Sequence, residues 1–209
     1  MRVLVACEFS GVVRRAFRER GHDAWSCDLL PAEDGSPFHY ECDISIPVYE
    51  QRWDLMIAHP PCKYITNAGS RWLYTHGKGT EPDAERWNNM RAARRFFLML
   101  LGREDIPHIA VENPRQHKHA QLPPHTQSIQ PWQFGHGETK ETRLWLKNLP
   151  KLVPTNIVEG REPRVHHASP GPDRWKERSR TLPGIAAAMA AQWGIAAEGA
   201  GKTGGEQHE

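Results

Sequence analysis

Short apolar runs alternate with amphipathic stretches along most of the chain. Strand-like runs occupy residues 3–6, 24–26, 39–41 and 55–58, and two more lie within IPHIAVENP (106–114) and ETRLWLKNL (141–149). After the first run, VVRRAFRERG (12–21) has apolar residues at helical spacing and ends in a glycine. The longest amphipathic stretch, 82–101, begins at a proline and an aspartate and is followed by Gly102.

This alternation predicts an α/β fold with a doubly wound, mostly parallel sheet, whose ligands bind at the carboxyl ends of the strands. The proline-rich segment 150–180 is predicted to be a long loop within a single domain that spans 1–194. An alanine-rich helix in TLPGIAAAMAAQWG is predicted to end at Gly194, and 195–209 is expected to be a disordered tail. GAGKT in that tail lacks the first glycine of a phosphate loop, so no ATP site is predicted.

The composition predicts a soluble protein. Charged residues make up 25% of the 209 residues, and no apolar run approaches the roughly 20 residues of a membrane span. The N-terminus turns polar too early for a secretory signal, which favours a cytoplasmic location. A net charge of +2 permits nucleic acid as a partner without requiring it. Without CxxC or Cys/His patterns, no metal site or disulfide framework is predicted, and Cys7, Cys27 and Cys42 are expected to be small buried residues.

Polar residues follow the first three predicted strands. CEFSG (7–11) leads into a helix N-terminus, where Gly11 would let the backbone approach a ligand. Asp28 is placed to accept hydrogen bonds from ribose hydroxyls, and Asp43 to meet an adenine amino group or a neighbouring loop. Each aspartate could instead cap a turn. Together these strand ends indicate a crevice for a nucleotide-type cofactor.

Cys62 follows the fourth predicted strand, in MIAHPPCKYIT (56–66). Pro60 and Pro61 restrict the backbone, so the thiol is held on a preset loop beside the predicted crevice. Such a thiol is suited to nucleophilic attack, provided that nearby positive charge favours its thiolate. His59 is a candidate for influencing that ionisation, with simple packing as the alternative.

Glu112 ends the fifth predicted strand. Because an apolar run precedes it, its carboxyl is expected to be partly desolvated, which would raise its pKa and let it carry a proton near neutral pH. Capping of the following loop is the alternative. Asn113 sets the next turn with Pro114 and is a further candidate for substrate binding.

These motifs resemble the cytosine-C5 DNA methyltransferase family. They follow that family's usual order over nearly all of residues 1–194: CEFSG, Asp28, ECDI, DLMIAHPPC, IAVENP, TKETRLWL and PGIAAAMA. HPPC and VENP are the specific pair, because they match the Pro-Cys and Glu-Asn motifs of the family. The resemblance implies the Rossmann-like fold of a class I S-adenosylmethionine-dependent methyltransferase, and the size is similar to that of compact phage or prophage enzymes.

By this resemblance, S-adenosylmethionine is the cofactor and C5 of a DNA cytosine is the methyl acceptor. The cofactor would lie along Phe9, Ser10, Gly11, Asp28, Asp43 and Pro60. Cys62 would add to C6, Glu112 would hold or protonate N3, and Arg143 would bind the base carbonyl. The adduct would carry an enamine at C5 that takes the methyl group, after which a base removes the C5 proton and the thiolate leaves.

The sequence departs from the family pattern at two motifs. In the first, Cys7 replaces the usual aspartate, and Val13 and Arg14 stand where glycines are expected. In the later arginine motif, Thr139 replaces a glutamine and Glu141 the first arginine. Cofactor affinity and contacts to the base are therefore expected to differ from those of the family.

No target-recognition domain is predicted, because the region that should hold it contains only the 150–180 loop. Reading duplex sequence normally needs an element that enters a groove. The substrate is therefore either a flipped or unpaired cytosine in DNA, or a free cytosine nucleotide. The loop after the predicted nucleophile offers cations and aromatics that could contact base and phosphate: Arg71, Trp72, Tyr74 and Lys78.

Two readings of other classes stay open. The departures in the first motif would suit a noncatalytic methyltransferase-like protein that binds nucleic acid or a partner. Methylation of an exocyclic amino group is disfavoured, because Cys62 follows the prolines where an aromatic residue is expected and a tyrosine comes only at Tyr64.

Solvated surface is expected for the paired histidines His117, His119, His166 and His167. Phosphate contact is the alternative for each pair.

Overall fold

The computed structural model describes residues 1–164, 171 and 174–202; His166 and His167 lie outside them. The strands are β1 (Arg2–Ala6), β2 (Asp23–Asp28), β3 (His39–Glu41), β4 (Leu55–Ala58), β5 (His108–Asn113), β6 (Gln127–Ile129) and β7 (Thr142–Lys147). They form one seven-stranded sheet in the order β3-β2-β1-β4-β5-β7-β6. The strands from β3 to β5 in this order are parallel, whereas β7 is antiparallel to both β5 and β6.

Helices cover both faces of this sheet. The α-helices are α1 (Val12–Arg18), α2 (Ser45–Glu50), α3 (Ala84–Leu101), α4 (Arg174–Ser179) and α5 (Pro183–Lys202). Short 3-10 helices occupy Asn67–Leu73, Lys118–Ala120 and Pro131–Gln133. Among the helices of the described ranges, none combines the length and apolar character needed to cross a bilayer.

The side chains of β1 show how one strand supplies two cores. Val3 and Val5 point to one face, where they pack in a cluster that includes Phe17 of α1 and Trp193 of α5. Leu4 points to the other face and belongs to the cluster that holds Phe97 and Leu100 of α3. Alternate residues of a strand face opposite sides, so a strand covered by helices on both sides is apolar throughout. The predicted doubly wound α/β sheet is confirmed.

Several local predictions were incomplete or wrong. The sequence pattern missed α2 and β6, and the predicted 150–180 loop contains α4, because such short elements carry too few residues to show a period. The last helix does not end at Gly194 but continues to Lys202, so the expected tail is helical up to that residue. A Cβ atom at Gly194 would lie 2.6 Å from Nε2 of His22. The glycine therefore permits close packing rather than ending the helix.

The carboxyl ends of four strands meet at one edge of the sheet. Ala6 of β1 pairs with Cys27 of β2 on one side and with Ala58 of β4 on the other. Ala58 pairs in turn with Val111 of β5. The loops that follow these residues are therefore neighbours in space, as expected for the ligand edge of a doubly wound sheet.

Candidate active site

A cavity of about 630 Å³ opens at this edge of the sheet. The carboxyl ends of β2 and β5 and the loops after β1, β2, β4 and β5 contribute residues 7–10, 28–30, 59–63 and 112–114 to its walls, and Lys140, Trp175 and 178–181 complete them. The volume is within the range of small-molecule sites. Of the residues predicted for a site, the cavity brings together Phe9, Ser10, Asp28, Pro60, Cys62, Glu112 and Asn113.

The loop between β1 and α1 is held to the start of α1 by the carboxylate of Glu8. Glu8 is buried, and its side chain accepts hydrogen bonds from the backbone N–H groups of Val13 at 2.7 Å and Arg14 at 3.2 Å. Gly11 has a left-handed φ of 67° and precedes the helix, where a Cβ atom would collide with the Arg14 guanidinium. Gly11 thus shapes the turn and is absent from the cavity wall.

Arg14 explains how this loop holds its shape without the glycines that the resemblance leads us to expect. Its side chain is fully buried, donates to Ser26 Oγ at 2.7 Å and pairs with Asp34. Arg15 binds the same carboxylate at 2.7 Å, and the pKa of Asp34 lies at about 2, because hydrogen bonds from both arginines outweigh its partial burial. The guanidinium thereby ties α1 to β2 and to the loop that follows β2.

The two predicted cofactor aspartates occupy different places. Asp28 lines the cavity and accepts a hydrogen bond from the backbone N–H of Leu30 at 3.0 Å, while burial raises its pKa. Asp43 is outside the residues that line the cavity and accepts from both the backbone N–H and the hydroxyl of Ser45, which lower its pKa. Asp43 thus adopts the alternative turn role expected for such a residue.

The cysteines divide by environment. Cys27 is fully buried, as predicted, whereas Cys7 and Cys42 are only partly buried. Cys7 lines the cavity with a left-handed φ of 58°, and burial, with the charge of Asp28, raises the pKa of its thiol to about 12. Cys62 is the exposed cysteine, on the loop after β4. It is therefore the thiol most accessible to a ligand in the cavity.

The thiol of Cys62 is not activated in this state. Desolvation by the surrounding walls raises its pKa, and the charge of Glu112 raises it further. Lys140 and Arg178 act in the opposite direction through their positive charges, but they do not outweigh these effects. The positive charge that the sequence interpretation required is present, yet the thiol form dominates at neutral pH.

Glu112 forms a hydrogen-bonded pair with His59. Nδ1 of His59 lies 3.0 Å from Oε2 of Glu112, and the two side chains are only 9% and 14% exposed. Burial alone would raise the pKa of Glu112, but the hydrogen bond to His59 and the electrostatic effects of His59 and Lys140 lower it below its ordinary value. The predicted rise in this pKa was wrong, because the sequence pattern did not show that a histidine just after the neighbouring strand β4 would face the carboxyl.

A second contact fixes the loop after β4 to the end of β5. The side-chain amide Nδ2 of Asn113 donates to the carbonyl of Pro60 at 3.1 Å. Asn113 is fully buried, and its Oδ1 has no hydrogen-bond partner among the described residues. Nε2 of His59 is likewise buried and unpartnered within that part of the chain. Both atoms can serve a ligand that enters the cavity.

These contacts predict how Cys62 reacts with an alkylating reagent such as iodoacetamide. The apparent pKa of its alkylation rate should be higher than that of a free cysteine. Glu112→Gln should lower the pKa of the thiol and speed alkylation several-fold at pH 8, because it removes a negative charge; Lys140→Gln should slow it. Peptide mapping by mass spectrometry assigns the modified cysteine. The exposed Glu104 provides the control Glu104→Gln, and equal rates in Glu112→Gln and wild type would contradict the electrostatic coupling.

Other predicted site residues lie away from the cavity. Arg143 donates to Glu141 Oε1 at 2.8 Å and to Gln116 Oε1 at 2.9 Å, and it is not among the lining residues. The loop residues Arg71, Trp72, Tyr74 and Lys78 also do not line it. Arg71 lies 4.3 Å from the ring of Trp72, and the ring of Tyr74 packs edge-on against that of Trp87. Their predicted contacts with a substrate would need a ligand larger than the cavity.

Sequence reasoning assigned no site role to several side chains that line the cavity, among them Glu8, Lys140, Trp175 and Arg178. Trp175 belongs to α4, and its ring lies 5.8 Å from that of Phe9. Nζ of Lys140 donates to the carbonyl of Arg180 at 2.9 Å. Glu8 lies within the CEFSG motif and Lys140 within TKETRLWL, whereas the α4 residues carry no motif.

Comparisons with known proteins show similarity at the level of structure. No model of a known family and no curated protein matches the chain. One similar structure is a protein described as a DNA modification methyltransferase encoded within an E. coli prophage, at 14% identity and a TM-score of 0.49, with 81% of this chain and 55% of that chain covered. Another is a triple mutant of Spodoptera frugiperda DNMT2, at 13% identity and a TM-score of 0.39, with 76% and 57% covered.

The chain thus spans little more than half the length of these two structures. At such identities and TM-scores, neither similarity informs the activity. The fold assignment follows from the strand order and the parallel register.

Proposed function

We propose that the protein transfers a methyl group from S-adenosylmethionine to C5 of cytosine in DNA, through a covalent adduct between Cys62 and C6. The observation that carries the proposal is the shared cavity of Cys62 and Glu112 at the carboxyl ends of parallel strands. Their loops are joined by the hydrogen bond from Asn113 to Pro60. A nucleophile and a carboxyl group so placed match the chemistry that the HPPC and VENP motifs imply.

The cavity suits the proposed cofactor. Phe9 and Trp175 present aromatic faces for an adenine ring, and Asp28 offers a carboxylate at the end of β2 for ribose hydroxyls. The cavity wall carries charges of both signs, which suits a ligand that has both a sulfonium and a carboxylate: the lining includes Glu8, Asp28 and Glu112 and also Lys63, Lys140, Arg178 and Arg180. When bound, S-adenosylmethionine supplies an electrophilic methyl group on its sulfonium.

The residues of this chain would drive the reaction at the base. The deprotonated sulfur of Cys62 adds to C6, and the electron pair of the C5–C6 double bond is delocalised toward N3. N3 takes a proton from Glu112, which draws it from Nδ1 of His59 across their hydrogen bond. C5 then takes the methyl group, a base removes the C5 proton, the C6–S bond breaks to return the thiolate, and N3 gives its proton back to Glu112.

This route also accounts for the thiol that is unactivated without substrate. In the free protein the charge of Glu112 opposes the thiolate. A base whose N3 shares a proton with Glu112 would reduce that repulsion, and Lys140 and Arg178 would then oppose only the effect of burial on the thiol pKa. Activation of Cys62 is therefore expected to depend on binding of the base.

One alternative substrate has structural support. The region 150–164 and α4 contact the loops at the edge of the sheet, through the hydrogen bond of the Thr139 backbone N–H to the Glu162 carbonyl and the contact between Trp175 and Phe9. The described residues therefore contain no separate domain for reading duplex DNA. A free cytosine nucleotide is the alternative substrate for this reason.

A transfer assay tests the function. Tritiated S-adenosylmethionine is incubated with the protein and with duplex DNA, single-stranded DNA, RNA or dCMP, and isothermal titration measures cofactor binding separately. We expect cofactor binding and label at C5 of cytosine in DNA. Label in dCMP alone would support the nucleotide alternative. Cofactor binding without transfer to any acceptor would favour a noncatalytic binding protein, and absence of cofactor binding would overturn the proposal.

A further inference from the structure

A second concave surface lies beside α3 and shares no lining residue with the cavity. This α3 groove has a volume of about 570 Å³ and runs between α3 and the 3-10 helix Lys118–Ala120. Trp87, Arg91 and Arg94 line it from the α3 side, and Lys118 and His119 from the other. Of the described residues that line the groove, none carries a carboxylate.

The groove combines positive charge with aromatic surface. The rings of Trp87 and His119 meet edge-on with their centroids 5.3 Å apart, and the Arg91 guanidinium lies 5.8 Å from the Trp87 ring. Trp87 is fixed by a hydrogen bond from its Nε1 to the carbonyl of Leu73. Nε of Arg94 is buried and has no partner among the described residues. Cations beside aromatic faces are typical of surfaces that follow a phosphodiester backbone.

The acidic residues of α3 are confined to its beginning. Asp83 caps the helix by accepting a hydrogen bond from the Arg86 backbone N–H at 2.9 Å, and Glu85 lies in the first turn. Neither residue lines the groove. The positive charges of Arg91, Arg94 and Lys118 are therefore available to an anionic partner.

The loop after β4, which carries Cys62, also contacts the helix that lines the groove. Lys63 follows Cys62 directly and lines the cavity, and its carbonyl accepts a hydrogen bond from Arg86 Nη2 at 3.2 Å. The Arg86 guanidinium also lies 4.5 Å from the ring of Tyr64. On the other side, Nε2 of the buried His117 donates to the Tyr64 carbonyl at 3.0 Å. Solvated surface was the wrong expectation for His117, because it holds this loop in place.

We propose that the α3 groove binds the phosphodiester backbone of the nucleic-acid strand whose target base enters the cavity. The proposal rests on the proposed function only for the identity of that base. Lys63 and Arg86 would continue the positive surface from the cavity to the groove. A free nucleotide in the cavity has no further phosphates to place there, so the groove favours a polynucleotide substrate over dCMP.

A charge-matched pair of variants tests this proposal. The groove variant is Arg91→Gln with Lys118→Gln, both exposed positions. The control variant is Arg20→Gln with Arg95→Gln, two exposed cations outside the groove that give the same loss of net charge. Fluorescence anisotropy of labelled single-stranded and duplex oligonucleotides, without cofactor, measures binding between about 50 and 200 mM salt. Polyglutamate is included as a competitor.

The groove variant should bind oligonucleotides about 10-fold or more weakly, and its logarithmic salt slope should fall by about 1.4–1.8, whereas the control variant should stay near wild type. Equal weakening in both variants, or none in the groove variant, would overturn the proposal. So would polyglutamate that displaces the oligonucleotide equally well, since the surface would then be a site for acidic proteins.

The oligonucleotide-binding experiment does not depend on methyl transfer, because it is done without cofactor. If no cofactor binds and no acceptor is labelled, the proposed function fails, yet selective loss of oligonucleotide binding would still support the groove. If transfer occurs, the groove variant should lose labelling of DNA while keeping cofactor affinity and the alkylation rate of Cys62. Undiminished labelling of DNA at low substrate concentration by the groove variant would contradict the proposal.

Discussion

Cys62→Ser should reduce methyl transfer to cytosine by more than about 10³-fold, because a hydroxyl ionises far less readily than a thiol and is a weaker nucleophile. Cys62 is exposed on a loop preset by prolines, in the cavity that also holds Glu112. The substitution removes the nucleophile while it changes little volume. Filter binding of tritiated DNA measures the loss, and isothermal titration should show unchanged affinity for S-adenosylmethionine.

Cys42→Ser is the control for this substitution. Cys42 is partly buried with its sulfur 3.9 Å from that of Cys27, outside the cavity lining, so transfer should continue. DNA containing 5-fluorocytosine gives an independent readout. Fluorine replaces the C5 proton that a base must remove in the last step, so the C6–S adduct should persist. Wild-type protein should form a denaturation-resistant complex with this DNA. Undiminished labelling in Cys62→Ser would refute the nucleophile assignment.

Glu112→Gln should lower transfer by about 10²–10⁴-fold, the usual contribution of a general acid. The same substitution should speed alkylation of Cys62, because the thiolate loses a repulsive neighbour. Opposite changes in the two rates would separate the proton-transfer role from the ionisation of the nucleophile. A parallel fall in both rates would indicate that the substitution had disturbed the site as a whole.

His59→Gln tests the source of the proton. In the wild type the hydrogen bond from His59 contributes to holding the pKa of Glu112 below its ordinary value. Without the His59 side chain, burial should raise that pKa, so the ionised fraction of Glu112 at neutral pH should fall. The titration of the Glu112 carboxyl carbon, followed by ¹³C NMR, measures this directly. Transfer should fall and its pH profile should change, whereas an unaltered titration would exclude the coupling.

The fold class could be predicted from the sequence because helices cover both faces of the sheet. A strand such as β1 is then apolar throughout, and its end is marked by the first polar residues. The same logic located Asp28, Cys62 and Glu112 at strand ends, all of which line the cavity. Residues that are adjacent to a strand end are fixed by topology, so their placement needs no knowledge of side-chain packing.

Contacts between distant segments were not accessible in this way. The pairing of His59 with Glu112 spans 53 positions and reversed the expected pKa shift. Trp175 reaches the cavity from α4, whose six residues are too few to show a helical period. Arg143 donates to Gln116, which lies 27 positions away and is brought near by the antiparallel register of β5 and β7. Such contacts depend on three-dimensional packing.

The carboxylate of Glu8 has a consequence for which cofactors this sheet accepts. In doubly wound folds that bind dinucleotides, a pyrophosphate sits against the amides that begin the first helix. Here Glu8 already engages the amides of Val13 and Arg14. A pyrophosphate arriving at the same place would meet a like charge and find its donors taken. The beginning of α1 is therefore expected to be a poor binding site for the pyrophosphate of NAD or the phosphates of ATP.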